Sequence, residues 1–269
     1  MLLATIIPAA ARVNAEALAA PAAMPQDPPV MYTHPREPHA RALSEFFAGD
    51  RDASMIVHSS LGEHEELPVA VFFRAPEDFF PFERAALPLC RGRVLDVGAG
   101  TGVHTLYLQD RGFEVCAIDV LPEAVEIMRA AGVRDARLAD VWEFEDEPFD
   151  TVLMMMNGIG ILGTLAGLDR FLREVPRLLK PDGQIVLDSG PARVVGEPDD
   201  AAVEVAIAGD ETYHGEAWIT LEYKGQKGPP FRELYADSET LTRHASAAGY
   251  ESEIVVRDEL GGYVARLWR

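Results

Sequence analysis

Apolar and polar residues follow two alternating rhythms between residues 93 and 187. Short apolar runs rich in β-branched residues predict five strands, at residues 93–97, 113–118, 133–139, 149–155 and 184–187. Between them, apolar spacings of three and four predict helices at residues 103–111, 122–131 and 165–179, the last kinked by Pro176. Strands that alternate with helices of about ten residues form parallel βαβ units. The pattern therefore predicts a doubly wound α/β domain.

The rhythm changes after Asp188. Residues 203–208 and 218–223 alternate between apolar and polar positions with a period of two. This alternation is typical of antiparallel strands with one solvated face. It predicts a β-hairpin at the centre of an insertion that covers residues 190–237.

The end of the chain returns to helix and then to strand. Residues 238–248 have helical spacing, with Ser238 as the expected N-cap and Gly249 as the residue that stops the helix. Residues 251–256 and 262–268 alternate with a period of two and predict a closing hairpin.

The first 88 residues lack the strand–helix rhythm. Residues 1–38 are rich in alanine and proline and predict a flexible extension. A signal peptide would require a positive charge near its start, but no Lys or Arg precedes Arg12. Residues 39–88 show helical spacing at both ends and predict a helical cover. The predicted organisation is an extension, this cover and one α/β domain at residues 89–269.

Charge and cysteine content narrow the partners and the compartment. The chain has 24 Lys and Arg against 44 Asp and Glu, a net charge of −20. Nucleic acids and anionic membranes are bound by basic surfaces, and no basic run is present. The composition therefore argues against both as partners. The two cysteines, Cys90 and Cys116, lack metal-ligand spacing and suit a reducing, cytoplasmic location.

A glycine-rich loop follows the first predicted strand of the α/β domain. Gly98, Gly100 and Gly102 follow Asp96 directly at the strand's end, so the backbone can approach a ligand closely. Dinucleotide-binding loops have the spacing G-x-G-x-x-G, whereas Val103 occupies the place of the third glycine here. Asp96 would repel a pyrophosphate and favours a ligand that carries an amino group.

Acidic residues end the next two predicted strands as well. Asp119, 23 residues after Asp96, is placed to accept both hydroxyls of a ribose. Asp140, 21 residues further on, is placed to meet an adenine amino group. Val120, Leu121 and Val141 offer apolar side chains to the ring. Three acids at consecutive strand ends indicate a nucleoside site.

These residues together resemble motifs I to IV of the class I S-adenosylmethionine (SAM)-dependent methyltransferases. The resemblance rests on Asp96-Val97-Gly98-Ala99-Gly100-Thr101-Gly102, Asp119, Asp140, Phe149-Asp150-Thr151-Val152-Leu153 and the turn-like Leu178-Leu179-Lys180-Pro181-Asp182-Gly183-Gln184. It implies a mostly parallel seven-stranded sheet with an antiparallel last strand. It also implies that SAM lies across the carboxyl ends of the strands.

The same resemblance assigns roles to individual positions. Gly98, Gly100 and Gly102, with Ala99 and Thr101 between them, would line the methionine and ribose portions of SAM. Asp119 would hold the ribose, and Asp140 would meet the adenine.

The end of the fourth predicted strand bears on the methyl acceptor. Methyltransferases of this class that act on nucleic acids or protein amides carry an Asn/Asp-Pro-Pro-aromatic run there, whereas this chain has Met156-Asn157-Gly158-Ile159. The sequence is more similar to the small-molecule branch of the family. We expect Asn157 to contact SAM or the acceptor.

Residues outside these motifs supply candidates for catalysis and substrate binding. No metal-ligand cluster is visible, so we expect metal-independent in-line transfer, helped by positioning and exclusion of water. The candidate general bases are His58, His64 and His214. Arg74 is a candidate partner for the SAM carboxylate. Candidate substrate-wall residues are Tyr213, Tyr223 and Tyr235.

The predicted activity is methyl transfer to an oxygen, nitrogen or sulfur atom of an uncharged or cationic small metabolite. A protein side chain as acceptor and a SAM- or nucleoside-binding protein without transfer activity are the alternatives. Aminopropyl transfer is disfavoured, because it would require paired acids after the fourth strand. The sequence leaves the oligomeric state open, with a homodimer as one of the alternatives.

Overall fold

Two β-sheets and six α-helices make up the part of the chain that the computed structural model describes, residues 34–192 and 213–269. The strands are β1 (Ser54–Ser59), β2 (Gly62–Pro68), β3 (Arg93–Val97), β4 (Glu114–Asp119), β5 (Ala136–Leu138), β6 (Phe149–Met154), β7 (Leu179–Ser189), β8 (Glu216–Tyr223), β9 (Gln226–Lys227), β10 (Phe231–Leu234), β11 (Glu251–Arg257) and β12 (Tyr263–Trp268). The helices are α1 (Glu37–Ala48), α2 (Pro81–Ala86), α3 (Val103–Asp110), α4 (Pro122–Ala130), α5 (Leu165–Glu174) and α6 (Ser238–Ala247).

The larger sheet has seven strands in the order β11-β12-β7-β6-β3-β4-β5. Strands β3 to β7 pair in parallel, and β12 runs antiparallel to both of its neighbours. The central strands are buried along nearly their whole length, as parallel strands covered by helices on both faces must be. The structure confirms the predicted fold class, a mostly parallel seven-stranded sheet with an antiparallel last strand.

Two element boundaries differ from the sequence prediction for local reasons. Helix α5 ends at Glu174 and continues as a 3₁₀ turn over Val175–Leu178, because Pro176 has no amide hydrogen to donate. The predicted turn at residues 181–183 lies inside β7. Between its pairings with Phe149 and Thr151, β7 advances from Leu179 to Gln184. The turn residues therefore form a bulge within the strand.

The start of α6 is also corrected. Its N-cap is Asp237 and not Ser238, since Asp237 Oδ1 accepts hydrogen bonds from the amides of Thr240 at 2.8 Å and Glu239 at 3.0 Å. Serine and aspartate are both good N-cap residues, so sequence alone could not choose between neighbours. Gly249, with φ +82°, ends the helix as predicted.

The smaller sheet is antiparallel and joins two distant parts of the chain. Its strand order is β10-β8-β1-β2, with β9 paired to the end of β8. Strand β8 corresponds to the predicted strand at residues 218–223, and its described neighbours are β1 and β10. The partner predicted for it, residues 203–208, lies outside the described residues. The insertion is thus joined to the N-terminal cover through β1.

The predicted helical cover contains a β-hairpin. Residues 39–88 include most of α1 and all of α2, yet β1 and β2 occupy the centre. Strand β2 lies at the sheet edge and reads Gly-Glu-His-Glu-Glu-Leu-Pro, so it lacks the apolar alternation by which strands are predicted. Most of the predicted extension, residues 1–33, lies outside the described part. In the described ranges no helix is long and apolar enough to cross a bilayer.

An apolar cluster fastens the cover to the larger sheet. Leu43 and Phe46 of α1 are fully buried against Leu121, Ala124 and Ile127, which begin and line α4. Burial of a side chain such as Leu or Phe contributes about 1.5–3 kcal/mol. Helix α1 is therefore held beside the carboxyl end of β4, over the ligand-binding edge of the sheet.

Candidate active site

One cavity of about 510 Å³ lies between the carboxyl ends of the parallel strands and the smaller sheet. Its lower half is formed by the glycine-rich loop and the ends of β4, β5 and β6, and its upper half by α1, β1, β8 and β10. All but one of the residues predicted to bind SAM line it: Arg74, Asp96, Gly98, Ala99, Gly100, Thr101, Asp119, Val120, Leu121, Asp140, Val141 and Asn157.

Gly102 is the exception. It caps α3 in the left-handed region with φ +82°, and a Cβ there would lie 2.9 Å from both Met128 and Val133. This glycine therefore serves helix packing and does not line the ligand site. Gly100 behaves in the opposite way, since with φ +56° a Cβ would meet nothing within 4 Å. That open space is the cradle that SAM requires next to the loop backbone.

Asp119 is fixed with its carboxylate at the cavity wall. Its Oδ2 accepts a hydrogen bond from the Gly100 amide at 2.8 Å, and its Oδ1 accepts one from the Leu121 amide at 2.9 Å. Burial raises the pKa of this carboxyl, and the two amides partly offset that effect. Each oxygen retains a further lone pair, so the carboxylate can accept both hydroxyls of a ribose.

Asp140 and its neighbours form the outer end of the cavity. The Asp140 carboxylate is exposed and accepts a hydrogen bond from the Trp142 amide at 3.0 Å. Val141 and Leu121 are buried, whereas Val120 is 43% exposed. A flat ring placed between these apolar side chains would keep one edge toward Asp140, which suits an adenine.

Asp96 lies at the inner end, where β3 enters the loop. It is almost fully buried, and Thr105 Oγ1 donates a hydrogen bond to its Oδ2 at 2.6 Å. Burial raises the pKa of this carboxyl, and the nearby His104 partly opposes the shift. A cationic amino or sulfonium group would stabilise the ionised carboxylate. The residues of this half therefore fit SAM at both of its ends.

Arg74 lines the cavity but already has an anionic partner. Its Nε donates to Glu83 Oε2 at 3.0 Å, and its Nη2 pairs with Glu83 Oε1. Burial alone would raise the pKa of Glu83, yet a hydrogen bond from His104 and the charge of Arg74 hold it below its usual value. Pairing of Arg74 with the SAM carboxylate stays a prediction, and it would require Arg74 to share its charge with Glu83.

Asn157 joins the end of β6 to the insertion. Its Nδ2 donates to Glu233 Oε1 at 3.0 Å and to the Leu234 carbonyl at 3.3 Å, and its Oδ1 accepts from Ser189 Oγ at 3.1 Å. Both Asn157 and the preceding Met156 have positive φ values, 56° and 65°. Such backbone conformations persist where surrounding contacts determine them, often at functional sites.

None of the three predicted histidine bases is among the residues that line the cavity. On β1, Met55 and Val57 face the cavity, so strand alternation turns His58 to the opposite face of the sheet. There His58 Nε2 lies 2.8 Å from Glu222 Oε2. His64 and His214 are exposed.

Of the three tyrosines predicted as substrate-wall residues, one lines the cavity and two do not. Tyr235 is buried and lines the cavity. The Tyr223 hydroxyl donates to Glu45 Oε2 at 2.9 Å, in the packing between β8 and α1. The Tyr213 hydroxyl donates to Asp237 Oδ2 at 2.6 Å, at the start of α6. Tyr223 and Tyr213 therefore support the fold around the cavity and do not line it.

Six polar residues of the cavity were missed in the sequence, among them His39 and Glu233; the others are His34, Arg36, His104 and Arg232. His39 lies on the same face of α1 as Leu43 and Phe46, and the spacing of four and three residues was the available signal. Glu233 lies on β10 between Phe231 and Tyr235, which also line the cavity. The period of two around Tyr235 was the signal for Glu233.

The fold and this edge of the sheet define a class of nucleoside-binding enzymes. A glycine loop at β3, acids at β4 and β5 and a single reversed strand at β12 are the features expected of class I methyltransferases. Residues 95–187 match the family model described as a methyltransferase domain.

Similarity to known proteins supports the same class. A demethylmenaquinone methyltransferase of Clavibacter sepedonicus is 30% identical over 194 residues, which cover 68% of this chain and 74% of that protein. A SAM-dependent methyltransferase from Bacteroides fragilis, solved in complex with S-adenosyl-L-homocysteine (SAH), is 37% identical with a TM-score of 0.76. That similarity covers 88% of this chain and 97% of the solved chain.

A methyltransferase of Mycobacterium tuberculosis is 36% identical over 104 residues, and this match spans only 41% of that relative's length. The longer matches extend beyond the glycine loop to the flanking elements. The chain belongs to the class I SAM-dependent methyltransferases, and SAM is its cofactor.

Proposed function

We propose that this protein transfers the methyl group of SAM to an oxygen, nitrogen or sulfur atom of a small molecule, without a metal ion. The observation that carries the proposal is a cavity that joins the SAM-binding loop to a pocket lined by the smaller sheet. Its volume of about 510 Å³ lies within the usual range of small-molecule sites, about 300–1,000 Å³.

The acceptor half of the cavity has mostly apolar walls. Leu43, Met55, Val57, Ile219 and Leu221 line it from α1, β1 and β8. Such walls favour an acceptor with a largely apolar body and a polar group at one end. The name of the Clavibacter relative, a demethylmenaquinone methyltransferase, is consistent with an acceptor of this kind.

The protein's part in the reaction is to position the donor and the acceptor and to exclude water. When bound, SAM supplies an electrophilic methyl carbon. Asp119 and Asp96 would fix the two ends of the donor, and the smaller sheet would hold the acceptor against it. Holding two reactants in attack geometry supplies a large share of the rate enhancement in such transfers. The apolar walls would limit the access of competing water to the methyl group.

A cytoplasmic location is also part of the proposal. We place the protein in the cytoplasm, because Cys90 and Cys116 are both free and buried. The alternatives are a protein side chain as acceptor and a SAM-binding protein without transfer. A cavity of small-molecule size beside the SAM-binding loop favours catalysis on a small molecule over both.

Incubation with tritiated SAM and a metabolite extract tests this proposal. We expect label to enter the small-molecule fraction, with formation of an equal amount of SAH. The same reaction after treatment with a metal chelator should proceed at an unchanged rate. Label found only in protein, or SAM bound without transfer to any fraction, would contradict the proposal and support one of its alternatives.

A further inference from the structure

Glu233 places a carboxylate among the mostly apolar walls of the acceptor half, which Arg36 and Arg232 also line. It lies on β10, and strand alternation turns it into the cavity together with Phe231 and Tyr235. Within the described residues, no Lys, Arg or His forms an ion pair with it.

The carboxylate is held in one place by a neutral side chain. Asn157 Nδ2 donates to Glu233 Oε1 at 3.0 Å, and Tyr235 lines the cavity two residues further on. Gly160 leaves room for this arrangement, because a Cβ there would lie 2.8 Å from Glu233 Oε1 and 2.6 Å from Asn157 Nδ2. The neutral Asn157 amide orients the carboxylate without neutralising its charge.

The position of Glu233 relates it to the methyl donor. Asn157 follows β6, and β6 pairs with β3, which carries Asp96 and the glycine loop. Through Asn157, Glu233 is therefore fastened to the strand end adjacent to the one that binds SAM. This is where the acceptor must meet the donor if both share the cavity.

We propose that Glu233 is a catalytic residue that accepts the proton lost by a hydroxyl or amine acceptor during methylation. This role rests on the proposed function. The attacking oxygen or nitrogen forms a bond to the methyl carbon with its lone pair. The carbon–sulfur bond breaks at the same time, and the electron pair of that bond stays on sulfur. The proton of the O–H or N–H group passes to the carboxylate. A positive sulfonium and a carboxylate thus become a neutral thioether and a neutral acid, so charge is balanced.

The role also names the acceptor class. A hydroxyl or an amine carries the proton that Glu233 removes, whereas a thiolate has already lost its proton and requires no base. Loss of the carboxylate should therefore slow methylation of hydroxyl and amine acceptors more than methylation of thiolates. A residue with a purely structural role would impair both equally.

The variant Glu233→Gln tests the role with little change of shape, because its amide oxygen can still accept from Asn157. The matched control is Glu222→Gln, on the opposite face of the same sheet beside His58. A panel of phenols, anilines and aryl thiols with tritiated SAM supplies the acceptors, at a mildly alkaline pH where aryl thiols are anions. For the best phenol we expect E233Q to lower kcat by about 100-fold or more, the usual contribution of a general base. For the best aryl thiol we expect E233Q to stay within about threefold of the wild type, and E222Q to do so for both.

A binding measurement gives a second readout that does not depend on turnover. The best phenol is titrated into protein saturated with SAH, and E233Q should bind it about tenfold more weakly because a charge-assisted hydrogen bond is lost. SAH affinity should be the same in all three proteins.

The outcomes separate the two proposals. Equal losses of kcat on phenol and thiol, or no loss on either, would overturn the role of Glu233 while leaving the proposed function intact. If the wild type bound SAH and methylated no member of the panel and no metabolite, the proposed function would fail and the role of Glu233 with it.

Discussion

At the scale of single residues, Asp119 shows how one side chain links the loop to the ligand. Its two oxygens accept amides from Gly100 and Leu121, so the carboxylate is oriented before any ligand arrives. Preorganisation of this kind reduces the free energy that binding would otherwise spend on ordering the site.

Replacement of Asp119 should therefore weaken binding of SAM and SAH. We expect Asp119→Ala to reduce SAH affinity by about 1–3 kcal/mol, because the ribose hydroxyls and two backbone amides lose their partner. Isothermal titration calorimetry measures the change. Asp110→Ala is the matched control, since Asp110 is exposed at the end of α3 and lies outside the cavity. An unchanged affinity for Asp119→Ala would remove this residue from the site.

His39 has a different consequence, which appears in the pH dependence of stability. Its Nε2 is buried without a hydrogen-bond partner among the described residues, and its ring lies 4.7 Å from that of Phe72. Burial, together with the positive charge of Arg36, lowers the pKa of His39 from 6.5 to about 3. The folded protein therefore holds this ring neutral over the range in which the unfolded chain takes up a proton.

The sign of the effect follows from that difference in protons bound. Between about pH 6.5 and pH 3 the unfolded state binds one proton more at this residue, so the free energy of unfolding falls as the pH falls. His39→Phe removes this contribution. We expect the variant to gain stability relative to the wild type by up to about 1.4 kcal/mol for each pH unit below 6.5. Urea unfolding at pH 7.5 and at pH 5 measures this, and a stability difference that does not vary with pH would contradict it.

At the scale of elements, the part of the fold predicted well is the part encoded locally. Strands β3, β4 and β6 read as continuous apolar runs because helices cover both of their faces. Their strand-end acids and glycines could be recognised for the same reason, since each lies within a few residues of the strand that positions it.

The smaller sheet could not be predicted in this way. Strand β1 pairs with β8 across more than 150 residues, and no local pattern specifies that pairing. Strand β2 is a polar edge strand, so it carries little apolar signal. Most of the acceptor half of the site was therefore missed, with Tyr235 as a predicted residue that does line it. Glu233 and His39 became candidates only once the packing showed which faces of β10 and α1 meet the cavity. The three candidate bases His58, His64 and His214 do not line it.

At the scale of the whole molecule, donor and acceptor are held by two separate sheets. The larger sheet contributes the SAM half through loops at its carboxyl edge. The smaller sheet draws β1 and β2 from the N-terminal side of the α/β fold and β8 to β10 from the insertion. Acceptor preference can therefore change through the smaller sheet without altering the SAM-binding residues. This division also explains why the motif-rich residues 95–187 match the family model and say little about the acceptor.

A crystal structure of the protein with SAH bound tests most directly the central claim that donor and acceptor share one cavity. We predict that both ribose hydroxyls lie within hydrogen-bond distance of the Asp119 carboxylate and that the adenine packs on Val141 near Asp140. The sulfur should point toward the space between Glu233, Met55 and Leu221, which SAH leaves free for an acceptor. SAH bound elsewhere, or a sulfur directed away from the smaller sheet, would contradict the claim.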